Sequence, residues 1–255
     1  MKTKLALLAI IAGAAMMSCQ KEAELGPSYL TDDSRELRSS GIRNPQTVTT
    51  NRVAERFGYD SKSQLELVNI DGRLQKRFEY DSEGKLTVLT LADRNEEIRF
   101  RYELGQQPVD AVRVKLFANG GQEEIADIVY SFDEFGRKIS ETETERATGV
   151  VTQYVFEYDE SDRLISTQKN INDEFQSLTR PDGFEEGYSH LAGLDVLALE
   201  PGTSLQKGLP RNILVDDASG QTVISYTYSL NADRQTESFT TSTNGRRAIR
   251  SRVTY

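Results

Sequence analysis

F-E-Y-D-S-E-G-K-L at residues 78–86, Y-S-F-D-E-F-G-R-K-I at 130–139 and F-E-Y-D-E-S-D-R-L at 156–164 are three copies of one phrase. Looser copies are F-G-Y-D-S-K-S-Q-L, beginning at Phe57, and Y-T-Y-S-L-N-A-D-R, beginning at Tyr226. Each runs through an aromatic-rich segment into Asp, two variable residues, a turn former, a basic residue and an aliphatic one. Alternation places Phe78 with Tyr80, and Tyr154 with Phe156 and Tyr158, on one face of a strand, and Glu79, Val155 and Glu157 on the other. An Asp at the first position of a type I turn accepts backbone N–H bonds, and a Gly three residues later enters the left-handed region, which closes a hairpin with a bulge. Asp162, standing where Gly84 and Gly136 stand, is also a residue type that tolerates positive φ. The phrase is therefore a β-hairpin. Asp60, Asp81, Asp133 and Asp159 read as turn caps rather than calcium ligands, because each belongs to its own hairpin and none sits in a D-x-D-x-D-G loop.

The spacing of the copies sets the architecture. Tyr59, Tyr80, Tyr102, Phe132, Tyr158 and Tyr228 are separated by 21, 22, 30, 26 and 70 residues. An exact period would indicate stacked coils. Unequal intervals fit an antiparallel meander of hairpins with one large insertion before the last. The fold expected is all-β, a meander closed or nearly closed into a barrel, with a short helix or loop insertion near 170–220. The return strands at 87–91, 139–145 and 236–241 each carry one solvated face on this reading. The alternating run from Ile249 to Tyr255 should end the chain in a paired strand. Faces carrying Glu141, Glu143 and Glu145, or Arg250, Arg252 and Thr254, do not suit lipid, so the barrel is expected to be a soluble one.

Residues 1–18 read as a lipoprotein signal peptide. Lys2 and Lys4 form its basic region, residues 5–15 its apolar core, and Ser18 the small residue before Cys19. The stretch is too short for a retained span. Cys19, the only cysteine, is the expected site of lipid attachment, which leaves no thiol for a disulfide framework or for cysteine catalysis. Residues 19–45 are polar and broken by Gly26-Pro27 and Ser39-Ser40-Gly41, the composition of a tether, with room for one short helix at 29–37. Residues 46–255 form a single domain. The full chain has 31 basic and 40 acidic side chains, and loss of Lys2 and Lys4 with the leader takes the net charge from −9 to about −11. Nucleic acid is excluded as a partner on that balance.

The hairpins resemble the YD repeats of RHS-type shell proteins, which run in longer arrays. The chain is more similar to a family of Bacteroidota lipoproteins of unknown function with a porin-like β-barrel domain. The lipobox with Ser18, Cys19, Gln20 and Lys21, the Tyr-Asp hairpins, and the insertion ending L-P-R-N at 209–212 carry this likeness over residues 50–255. It implies a barrel and supplies no activity. An N-P-F phrase frequent in that family's insertion is absent. The acidic residues after Cys19 resemble an export tag of such lipoproteins, so the implied location is the outer membrane, on the cell surface or the periplasmic face.

The insertion is where specificity would reside. Arg180-Pro181-Asp182-Gly183 reads as a turn, and Leu191, Leu194 and Leu197 fall on one side of a short helix that plugs or caps the barrel. Tyr188, His190, Arg211 and Asn212 are its candidate ligand-facing residues. His190, the only histidine, has no second His and no Cys with which to build a zinc site, and a Ser-His triad would need distant partners. No metal and no cofactor are expected. Three function classes follow: a non-enzymatic envelope module, joined to the membrane through its lipid, that binds a glycan or envelope protein; a structural envelope protein without a ligand; and a carboxylate-dependent glycan hydrolase using acids among Glu185, Glu186, Asp216 and Asp217. The missing catalytic set favours the non-enzymatic readings.

Overall fold

A computed structural model describes residues 44–103, 105, 107–187, 189, 194–203, 208–246 and 248–255. The leader, Cys19, the tether up to residue 43, and Tyr188, His190 and Leu191 lie outside the described residues. Sixteen strands follow one another: β1 (Thr47–Thr50), β2 (Val53–Tyr59), β3 (Leu65–Ile70), β4 (Arg73–Tyr80), β5 (Leu86–Leu91), β6 (Glu96–Arg101), β7 (Asp110–Leu116), β8 (Gln122–Phe132), β9 (Lys138–Glu145), β10 (Val151–Tyr158), β11 (Leu164–Ile171), β12 (Glu174–Glu185), β13 (Leu209–Asp217), β14 (Gly220–Leu230), β15 (Thr236–Thr243) and β16 (Ile249–Thr254). Each pairs antiparallel with its neighbour, and β1 pairs with β16, Val48 opposite Val253, so the meander closes into a barrel.

The repeated phrase makes one rim of that barrel. Asp81 Oδ1 accepts the N–H groups of Glu83 and Lys85 at 2.9 Å, and the same pair of bonds recurs at Asp60, Asp133 and Asp159. The fifth copy is set two residues later than the aromatic pattern suggests. There Asn231 takes the Asp role, accepting from Asp233 and Gln235. The fourth residue of each turn has positive φ: Ser63, Gly84, Gly136, Asp162 and Arg234. All five hairpins carry the expected bulge, beside the aromatic position in four and beside Leu230 in the fifth. At the opposite rim, Asn51-Arg52, Asp71-Gly72, Asn172-Asp173 and Asn244-Gly245 have two successive positive φ values, the type I′ geometry that matches strand twist.

At four places a tyrosine hydroxyl latches one hairpin to the previous one. Tyr80 donates its hydroxyl to the Leu65 carbonyl at 2.8 Å, Tyr102 to Leu86 at 2.9 Å, Tyr158 to Lys138 at 3.0 Å and Tyr255 to Thr236 at 2.8 Å. Each acceptor begins the return strand of a neighbouring turn, so the rim is tied laterally by side chains as well as by the ladder. Burial raises the pKa of Tyr80, Tyr102 and Tyr255, the last to about 12, which keeps them protonated donors.

Register fixes which residues face inward. Ile128, Tyr130, Ile98, Leu89 and Phe78 line the inner face of β4–β8 and are essentially inaccessible. The outward positions of β4 are Gln75, Arg77 and Glu79, and those of β6 are Glu97, Arg99 and Arg101. Arg250 and Arg252 face outward on β16, whereas Glu141, Glu143 and Glu145 do not lie on a solvated outer face. They stand opposite Tyr130, Ile128 and Ala126 and point into the lumen.

The insertion is shorter than its composition suggests. Residues 170–185 and 209–220 belong to β11–β14, leaving 186–208 between β12 and β13. Arg180-Pro181-Asp182-Gly183 is strand rather than turn: Pro181 pairs with Ile213 beyond the last β11 contact at Thr179, where a missing N–H breaks no ladder bond to that neighbour. The expected helix is a single 3-10 turn, Asp195–Leu199. Leu194 and Leu199 are 3% exposed and join the core cluster, with Val196 and Leu197 packed against it. The insertion thus plugs the barrel from within.

Removal of one turn cap tests the hairpin account. Asp81→Ala should lower unfolding free energy by about 1–2 kcal/mol, and Asp81→Asn by much less, read from urea midpoints at constant slope.

Candidate functional site: the plugged lumen

A barrel of this strand number is too wide for its wall side chains to fill, and the lumen here divides into two halves. The inner face of β1–β8 meets the insertion in one buried apolar cluster. The inner face of β10–β15 is only partly covered.

The boundary between the halves is charged. Lys138 Nζ donates to Glu141 Oε2 at 2.8 Å, with the two side chains 2% and 0% exposed. Glu141 Oε1 accepts the backbone N–H of Gly202 at 2.8 Å, which ties the plug to β9. The ammonium also lies 4.9 Å from the Phe156 ring centroid and 5.6 Å from that of Tyr130. Burial lowers the Lys138 pKa, against the Glu141 carboxylate that raises it. Two more contacts hold the plug: Tyr130 donates to the Leu199 carbonyl at 3.2 Å, and Lys76 pairs with Glu200. Gly202 has φ +75, and a Cβ there would stand 2.9 Å from the Tyr154 ring. Only glycine lets the strap approach this closely.

A second inward pair, Arg113 with Glu143 at 2.9 Å, lies beside the first. Burial raises the Glu143 pKa, and the Arg113 guanidinium opposes it. Burial likewise raises Glu55, against Lys76.

The residues singled out from sequence are distributed differently. Arg211 is exposed and lies 3.7 Å from Glu185, and Asn212 donates to Asp182 at 3.4 Å; both sit on β13 near the rim where the insertion departs. Tyr188 and His190 lie outside the described residues. The four acids considered for hydrolysis are surface groups: Glu185 faces Arg211, Glu186 pairs with Arg234 at 2.6 Å, Asp216 with Arg180 at 2.6 Å, and Asp217 accepts from Ser219. Hydrogen bonds from Gln221 and Arg180 hold Asp216 below the usual carboxylate range, and those from Ser219 do the same for Asp217. Among the described residues, no group of three or more His, Cys, Asp or Glu side chains is placed to hold a metal ion.

The charged centre was hidden in sequence by the alternation of β9, which reads as a solvated acidic face. One signal was present. Lys138 and Glu141 occupy the places that Leu65 and Val68, or Leu86 and Leu89, fill in other copies of the phrase, and a charged pair at two aliphatic positions marks a buried exception.

No protein-family model and no curated protein matches the chain. Among solved structures, a porin-like protein from Bacteroides uniformis is similar, with 11% sequence identity and a TM-score of 0.55 over 82% of this chain and 96% of that one. At that identity the likeness is one of fold, and it agrees with the barrel. The Photorhabdus luminescens Tc holotoxin pore and a TcdB2–TccC3 complex align with 78% of this chain and 8% of theirs, at 14% and 16% identity and TM-scores of 0.28.

Loss of one partner from the buried pair leaves an uncompensated charge. Glu141→Leu should cost about 3–5 kcal/mol, and Lys138→Leu with Glu141→Leu, which copies the Leu86–Leu89 hairpin, should recover more than half of that in chemical denaturation. Stability should also depend on pH through the raised carboxyls. Glu55 and Glu143 take up a proton more readily folded than unfolded, so their contribution is fully present below the ordinary value of 4.5 and is lost as pH rises through the raised values. Melting temperature should fall as pH rises above 4.5, and fall less in Glu143→Gln; an unchanged slope in that variant would contradict the assignment.

Proposed function

We propose that the protein is a lipid-anchored component of the cell envelope that works by binding or by structure rather than by catalysis. The observation that carries this reading is the outer face of the barrel. Arg77, Glu79, Arg99 and Arg101 face outward where a spanning barrel would present apolar side chains to hydrocarbon. Attachment to a membrane then falls to the leader, with its Cys19. The non-enzymatic part is supported by the acids at the insertion rim. They are engaged by Arg or Ser partners at the surface, and Asp216 and Asp217 are shifted away from the raised pKa a general acid needs. Outer-membrane placement, on either face, follows from the lipobox resemblance. The glycan hydrolase reading would need a pair of carboxylates outside these four.

The test is acylation. Expressed in a diderm bacterium, the wild-type chain should incorporate labelled palmitate and partition into the detergent phase of Triton X-114, and Cys19→Ala should do neither. Detergent partitioning of the Cys19→Ala protein, or turnover of a glycan panel by the wild type, would contradict the proposal.

A further inference from the structure

The inner wall of β10–β15 is half-buried, and among the described residues the insertion reaches it at Gly202, beside Tyr154. It is built from half-buried residues of three kinds. Tyr154 and Tyr226 offer ring faces, with Tyr226 stacked on Tyr228 at 6.0 Å. Ile171, Ile213 and Ile224 offer aliphatic surface. Between them lie hydroxyls, brought together by register: Thr152 opposite Ile171, Thr167 opposite Thr179, Ser177 opposite Lys169, and Thr241 opposite Tyr226. None of these hydroxyls makes a side-chain hydrogen bond to another described residue.

Among the described residues, a cation without an ion pair stands in this wall. Lys169 pairs across the strands with Tyr154, and its ammonium lies 5.6 Å from the Tyr154 ring centroid. Unlike Lys76, Arg113 and Lys138, which are matched to Glu200, Glu143 and Glu141, it has no ion pair among the described residues. Tyr154 fixes its place, since that ring is itself held by stacking on Phe156 at 6.5 Å and by the strap at Gly202.

We propose that this wall binds an acidic oligosaccharide, with the carboxylate of a uronic acid taken by Lys169 and the sugar rings lying against Tyr154 and Tyr226. The inference rests on the non-enzymatic binding reading above and names its ligand class. A long-chain carboxylate is the competing occupant of a barrel wall that carries an internal cation without an ion pair among the described residues. The hydroxyls decide against it: an acyl chain would desolvate them with nothing in return, at about 1–3 kcal/mol each. A sugar returns those bonds through its own hydroxyls and places its C–H faces on the aromatic rings. The ammonium in turn gains an opposite charge from the acidic sugar, which a neutral sugar does not supply.

Calorimetric titration of the full-length protein with trigalacturonate, galactotriose and palmitate tests this. Trigalacturonate should bind at least tenfold more tightly than galactotriose, and Lys169→Met should remove that difference while leaving the melting temperature within about 2 °C. Thr179→Val, a second variant at the wall, should weaken both sugars together. Equal affinity for the acidic and neutral sugars, an acid preference that survives Lys169→Met, tighter binding of palmitate, or no binding of any of the three would overturn the site. Cleavage of bound trigalacturonate would instead overturn the non-enzymatic reading and leave the site standing.

Discussion

Glu141 is the side chain on which the interior depends. It is wholly buried, ionically paired with Lys138, and bonded to the backbone of a strap that belongs to a distant part of the sequence. A charge in such a place is costly unless every oxygen is engaged. Here one oxygen takes the ammonium and the other takes the Gly202 N–H, so the barrel wall and the plug satisfy each other. The apolar contacts of Leu194 and Leu199 supply more of the burial, but they are not directional. The carboxylate specifies where the strap stops, and the closeness of Gly202 to Tyr154 leaves no room for slippage.

Around that point the wall is assembled from rules that act locally. An Asx-type turn sets each hairpin, a bulge re-aims the aromatic residue, and a tyrosine hydroxyl reaches back to a neighbouring return strand. Because each rule spans few residues, hairpins of unequal length can follow one another without loss of registry. Closure then needs only that β1 find β16, which it does over Thr47–Thr50. Charged residues on the outside and a charged seam inside are compatible because the strands alternate.

Much of this was legible before the fold was known. Asp, Gly and Tyr in the repeated phrase each have a local physical reason to be there, and local reasons survive into the structure. Cross-strand register is what the sequence left open. Glu141, Glu143 and Glu145 alternate with Ser and Thr in a way that fits either face, and the bulge after Ser131 turns them inward. Pro181 and Gly183 are turn residues by composition, yet the β11 pairing has ended by that point and β12 carries them as strand. The plugging role of Leu194 was readable from its spacing, whereas Lys169 gave no sign, since a lone lysine in a polar strand is unremarkable until its neighbours are placed.

Amide hydrogen exchange at Gly202 addresses the central claim most directly. If the strap is an integral part of the core, held by Glu141, its N–H should exchange only on global unfolding, with protection matching the amides of Leu89 and Ile128. Exchange at the rate of an exposed turn amide such as Gly72 would show that the plug is not fixed in the lumen and would contradict the account.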